Sequence, residues 1–361
     1  MPLERIRFPL VAIAIFAALA AMWAGLIRIG WDFPPILSSL PQNHGPLMVA
    51  GFLGVLISLE RVVALGQRWM FAAPIFSALG VVALIFGVSA PIAPALIVIS
   101  SAAMVGIYVV IVRKHAALYT ITMLIGAALW LIGNILWLSD APIFQAVLWW
   151  AGFLVLTIVG ERLELGRLLQ LAKWTRWLFV GAIGLLLIGL CTSLINSNIG
   201  NRIFGAGMIA LALWLLRFDI ARRTVRQSGL PRFIAWCMLS GYAWLGISGA
   251  FVLAFGMVTG GFQYDAILHS LFLGFVFSMI FGHAPIILPS ILQMPIKFQS
   301  TFYVHLILLH ASLLIRISGD LMAIVSIRQW GGMLNVIALL AFMFNTARVL
   351  RISVTYKNRK G

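Results

Sequence analysis

The chain has 361 residues, 63% of them hydrophobic and 9% charged, against roughly 45–50% and about 25% in soluble domains. Apolar runs of about 20 residues recur along its whole length, which excludes a soluble enzyme, and the short alternating segments of a β-barrel are missing. The formal net charge of +16 maps to the ends of apolar segments, so it reads as membrane topology and implies no nucleic acid.

Twelve spans are predicted, centred near residues 18, 54, 80, 102, 127, 151, 187, 209, 245, 277, 309 and 340. They make an all-α polytopic membrane bundle, a single integral domain over residues 1–361. With the N-terminus inside, the outer segments hold only Arg28, Arg202, Arg316 and Arg328, and the inner ones the other 21 of the 25 Lys and Arg residues. That bias predicts a bacterial cytoplasmic (inner) membrane protein with both termini cytoplasmic. Ala18-Leu19-Ala20, after Arg5 and Arg7, has the form of a signal-peptidase site, and cleavage there would leave eleven spans. Cys191 and Cys237 stand in no CxxC or CxxCH pattern and read as small buried apolar residues.

The second span opens with PQNHGPLMVAGFLG, which carries His44, Gly45 and Met48, and it ends at Glu60-Arg61. Residues 50–62, AGFLGVLISLERV, align without a gap on residues 151–163 of the sixth span, AGFLVLTIVGERL, at an offset of 101. An offset of 223 lays Gly51-Phe52 on Gly274-Phe275 of the tenth span and Glu60 on His283. Spans two, six and ten run in the same direction, so the chain divides into three units of four helices, approximately 1–115, 116–232 and 233–361. Neighbouring residues on a helix point about 100° apart, so Glu60-Arg61 and Glu161-Arg162 are not expected to be mutual ion pairs. Each Arg reads as a snorkelling anchor, and Glu60 and Glu161 as partners of basic loops or as entry points for a proton or ion. Trp31, Trp137, Trp149 and Trp150 fit an interfacial aromatic belt.

The tenth span, HSLFLGFVFSMIFGHAPIILP, places His269 near its outer end and His283 near its inner end. In a regular helix the two are about 21 Å apart and roughly 40° apart around the axis, on one face but too distant to share a metal. His44 and His269 lie in the same outer layer of repeat-related helices. Each can be an interfacial histidine bonded at a helix end, or the two can jointly hold a cofactor, Gly45 allowing close approach to the backbone. In the eleventh span His305 and His310 diverge by roughly 140°. A second metal site of His283, His305 and His310 is conceivable, since imidazoles suit copper and zinc, and packing histidines are the competing reading. Arg316 is placed to pair with Asp320 at i+4 or to fork onto a haem propionate.

Twelve helices in three arcs of four, with a histidine in an HGxxM setting in span two and another in span ten, resemble subunit I of the haem–copper oxidases and nitric oxide reductases. The resemblance implies that His44 and His269 are axial ligands of a low-spin haem b. The binuclear centre of that family is not implied, because span six has no histidine (Gln145 stands where His44 would repeat), span seven has no histidine pair and span ten lacks HxH. Size, span number, and the pairing of HGPLMVAGFLG with HSLFLGFVFSMIFGH and an RISGD-type end are similar to the NnrS family of haem- and copper-binding bacterial membrane proteins linked to denitrification and nitrosative stress. That resemblance implies haem b with copper as a further metal, a redox partner or quinol, and a role in electron transfer, sensing or protection in nitric oxide or oxygen metabolism. No completed catalytic constellation is recognised. The rival expectation is a proton-coupled transporter of small molecules or metal ions, with Glu60, Glu161 and His283 along its path.

Overall fold

A computed structural model describes residues 4–358 except 36, 38, 89, 90, 170 and 293–297. Of the expected inner basic set, Lys297, Arg359 and Lys360 lie outside the described residues, and of Arg5, Arg351 and Lys357 only the backbone is described. Regular structure among the described residues is entirely helical. Twelve helices are long and apolar enough to cross a membrane: α1 (Ile6–Arg28), α2 (Pro41–Leu65), α3 (Arg68–Ile85), α4 (Ile92–Lys114), α5 (Leu118–Leu138), α6 (Ile143–Leu165), α7 (Lys173–Ser193), α8 (Ser197–Phe218), α9 (Gly229–Phe255), α10 (Gly261–Pro289), α11 (Phe302–Leu321) and α12 (Val325–Leu350). The all-α polytopic bundle is therefore the fold. A helix is the open segment that satisfies its own backbone in lipid, so uninterrupted hydropathy at this length leaves little else.

By internal packing the chain divides into two compact units, Met1–Gly160 with Ser290–Gln293, and Glu161–Pro289 with Met294–Gly361; the boundary falls inside α6. In the first unit α1 lies along the middle of α2, and α3, α4 and α5 pack on one another in chain order. Its interior holds Trp130 stacked on Phe153, ring centroids 5.0 Å apart. Trp149 and Trp150 are buried here as well, 4% and 0% exposed, not in an interfacial belt. The indole of Trp150 donates to Asn134 Oδ1 at 2.9 Å, which satisfies the one polar atom that makes a buried tryptophan costly. In the second unit α7, α8 and α9 pack in sequence, α9 lies on the middle of α10, and α11 packs on both α10 and α12.

Two helices depart from α geometry in the same way. In α2 residues Leu47–Gly54 are π-helical, and in α10 residues Ser270–Phe277 are π-helical. Both stretches are eight residues long, and each boundary of the second lies 223 residues after the matching boundary of the first. α6, which carries the third aligned segment, is α-helical throughout Ile143–Leu165. A π turn shifts each N–H to the carbonyl five residues back, which leaves the ladder imperfect at its junctions. Serines attend both. Ser77 donates to Ala50 O and Ser58 to Gly54 O, each at 2.6 Å. In α10, Ser278 donates to Gly274 O at 2.6 Å and Ser248 to Ile267 O at 3.0 Å. With no water in the bilayer core, such donors replace what the backbone has lost.

The π stretch also corrects the angle expected between His269 and His283. Residues wind more slowly around a π-helix than the 100° per residue assumed for a continuous α-helix, so the roughly 40° separation does not carry through α10.

Candidate functional site

His44 starts the α-helical turn that runs into the π stretch of α2. Its Nδ1 lies 2.7 Å from Ala21 O of α1. A carbonyl only accepts, so in the neutral ring Nδ1 carries the proton and Nε2 the lone pair. The ring lies against Gly25, where a Cβ would stand 2.9 Å from His44 Cε1. Gly25 is thus the glycine that this histidine needs, and α1 supplies both its hydrogen-bond acceptor and its seat. Gly45 was expected to permit the close approach, but a Cβ there would meet nothing within 4 Å. Met48 is half-buried inside the π stretch.

His269 ends the α-helical part of α10 and its neighbour Ser270 begins the π stretch. Its Nδ1 lies 3.0 Å from Asp265 O and 3.2 Å from Asp265 Oδ1. Here too, in the neutral ring, the acceptors place the proton on Nδ1 and leave the lone pair on Nε2. Asp265 is in turn clamped by Arg316 of α11, Nε to Oδ2 at 2.7 Å and Nη2 to Oδ1 at 2.8 Å. The expected Arg316–Asp320 pair is therefore not what forms, and a guanidinium with its fork spent on Asp265 is not positioned to hold a haem propionate. Neighbouring helices can offer a carboxylate both edges of the fork at once, whereas a one-turn i+4 contact rarely does. Asp320 is 4% exposed; among the described residues its carboxylate oxygens meet no donor at hydrogen-bond geometry, and its nearest acidic neighbour is Asp265. The charges acting on it are those of Asp265, Arg316 and Arg328.

The remaining spanning histidines do not assemble into a second centre. His283 Nδ1 lies 2.8 Å from Met279 O on its own helix. His310 is the reverse case: Trp244 Nε1–H donates to its Nδ1 at 3.0 Å, which puts the proton of a neutral ring on Nε2 and blocks that nitrogen as a metal ligand. His305 is 1% exposed, with Asn345 Nδ2 3.4 Å from its Nδ1. It is walled by Phe281 and Phe342, at ring distances of 4.8 and 5.4 Å. Among the described residues no three His, Cys, Asp or Glu side chains come together as a group that could hold a metal ion.

The two Glu-Arg pairs also diverge from expectation and from each other. Arg61 Nη2 and Glu60 Oε1 do pair, at a loose 3.7 Å. Arg162 is no snorkelling anchor: it is buried, 4% exposed, and forks onto Asp219 with contacts of 3.0 and 2.9 Å. Glu161 is half-buried at the end of α6. Sequence reasoning missed Gly25 and Asp219, and noticed Asp265 as an outer-side charge without its partners. Asp265 alone had a readable signal, four residues before His269 on the same helix face.

Residues 7–351 match the family described as Domain of unknown function (DUF8744), a stretch that runs through all twelve spans. The chain belongs to that family. No curated protein matches it.

Proposed function

We propose that this DUF8744 chain is a multi-pass protein of the bacterial cytoplasmic membrane, both termini cytoplasmic, that binds b-type haem with His44 and His269 as axial ligands. One observation carries the reading: the two rings that stand just ahead of the π stretches are both fixed through Nδ1 by oxygen acceptors, the second-shell bond that in a neutral ring presents Nε2 to a metal; His283 shares the bond but not the place. The π-helical stretches, which begin one residue after His269 and three after His44, add to it, since such stretches recur at functional sites. Each ring supplies a neutral imidazole of the kind a haem iron takes. When bound, such a haem supplies reversible one-electron chemistry.

The chain's own residues then have defined roles. Ala21 O and Gly25 hold the His44 ring in place. Asp265, held by Arg316, accepts from His269 and strengthens it as a donor. Electron transfer, sensing or protection in nitric oxide or oxygen metabolism, with a quinol or another redox partner, follows from the similarity to the NnrS pattern. Copper is not carried forward, because His283, His305 and His310 form no joint site. The test is a reduced-minus-oxidised absorption spectrum of purified, haem-supplemented protein. Sharp low-spin bands that vanish in His44→Ala and in His269→Ala are expected, and bands unchanged in either variant would remove that ligand.

A second reading is favoured by Asp320. A buried carboxylate inside a membrane span is costly and commonly marks an ion or proton path. In a proton-coupled transporter Asp320 joins Glu60, Glu161 and His283 on the path, and Asp320→Asn abolishes proton-driven uptake into vesicles without any cofactor. Uptake that survives the substitution would end this reading.

A further inference from the structure

The connection between α8 and α9, RFDIARRTVRQSGLPRF over residues 217–233, carries Arg217, Arg222, Arg223, Arg226 and Arg232, all exposed. Its acidic residue, Asp219, is buried, its side chain 1% exposed and forked by Arg162. None of the five guanidinium groups is paired with a carboxylate among the described residues. The stretch is nonetheless folded. Asp219 Oδ1 also accepts the Ala221 N–H at 2.7 Å, fixing the start of the short helix Ala221–Thr224. Arg222 Nη1 donates to Arg217 O at 3.2 Å, and the Arg217 guanidinium lies 5.3 Å from the centre of the Phe218 ring.

Topology alone does not ask for this arrangement. Basic residues orient a membrane protein by their number near a span, in any conformation. A buried ion pair that pins the loop and holds unneutralised arginines side by side costs desolvation and repulsion, and a bound anion offsets that cost. The planar fork of arginine matches phosphate. Around the same end stand three exposed indoles, Trp174, Trp177 and Trp236; Trp174 packs edge-on to Phe218 at 5.6 Å. Exposed indoles beside such a loop belong at the level of lipid headgroups.

From this arrangement we infer that the 217–232 loop is a preformed binding site for phosphate groups, and that the phosphate is that of anionic phospholipid. The inference does not depend on haem. It is tested by titrating fluorescent phosphatidylglycerol into the detergent-purified full chain, with phosphatidylcholine and inorganic phosphate as competitors. Removing three cations in Arg222→Gln/Arg223→Gln/Arg226→Gln should weaken binding roughly 100-fold, from about 1 kcal/mol for each basic residue at the surface. The control Arg113→Gln/Lys114→Gln, in the last turn of α4, should leave it unchanged. Arg223→Gln alone, expected to weaken binding several-fold, serves if the triple variant melts early. Undiminished binding by the Arg variants would overturn the site, and an equal loss in the control would reduce it to diffuse charge. Competition by inorganic phosphate as effective as that by phosphatidylglycerol would assign the loop to a soluble phosphate instead of lipid.

Discussion

The head of α2 and the corresponding part of α10 solve one problem with different means. Both present an imidazole before an eight-residue π stretch, and both fix the ring through Nδ1. At His44 the acceptor is a neutral carbonyl from another helix, and the ring is seated on a glycine. At His269 the acceptors are the carbonyl and carboxylate of one residue on its own helix, and an arginine from α11 grips that carboxylate. The first arrangement depends on shape, the second on charge. Position alone would have made them equivalent, and the difference shows that a repeated backbone feature does not carry its side-chain support with it.

The comparison is broken most severely by stranding the charge. Arg316→Ala leaves the half-buried Asp265 carboxylate without its arginine and held only by His269, with an expected loss of about 3 kcal/mol in stability, read as a fall in melting temperature. The double change Arg316→Met/Asp265→Asn should recover most of it. At the other site, Gly25→Ala drives a methyl into the His44 ring and should cost about 1–3 kcal/mol; its melt and its haem spectrum should change together. On the haem proposal, Asp265→Asn alone should keep a low-spin spectrum while lowering haem affinity roughly 10- to 100-fold, the usual weight of an outer-shell partner. An affinity equal to that of the parent chain would show that the Asp265 carbonyl suffices. The smallest effect is expected from Trp244→Phe, which removes the bond to His310 Nδ1 for about 1 kcal/mol and should leave the haem bands where they were.

The twelve spans were legible because lipid demands a run of apolar residues of fixed length, a property of the sequence itself. The histidines of α2 and α10 were legible for the converse reason, polar groups standing out in such runs. What escaped was pairing across helices. Arg316 has Asp320 one turn away, and nothing in the sequence shows that Asp265, 51 residues earlier, offers the better fork. Arg162 looked like an interfacial anchor because it ends a span, but Asp219 draws it inside. Trp149 and Trp150 misled in the same way, since nearness to a helix end does not say which face turns inward. The π stretches escaped because their residues, Leu47–Gly54 and Ser270–Phe277, are mostly ordinary apolar ones; the alternative register is a backbone choice, marked by Ser58, Ser77 and Ser278 serving its carbonyls and Ser248 one just before it.

Those stretches give the chain an uneven tolerance to changes of length. A wide turn holds more residues than a regular one, so α2 and α10 each contain slack that α6 lacks. Deleting one residue within 47–54 or 270–277 can be absorbed by tightening to the regular helix, keeping both flanks in place. The same deletion in α6 has no slack to draw on and swings everything beyond it by about 100°.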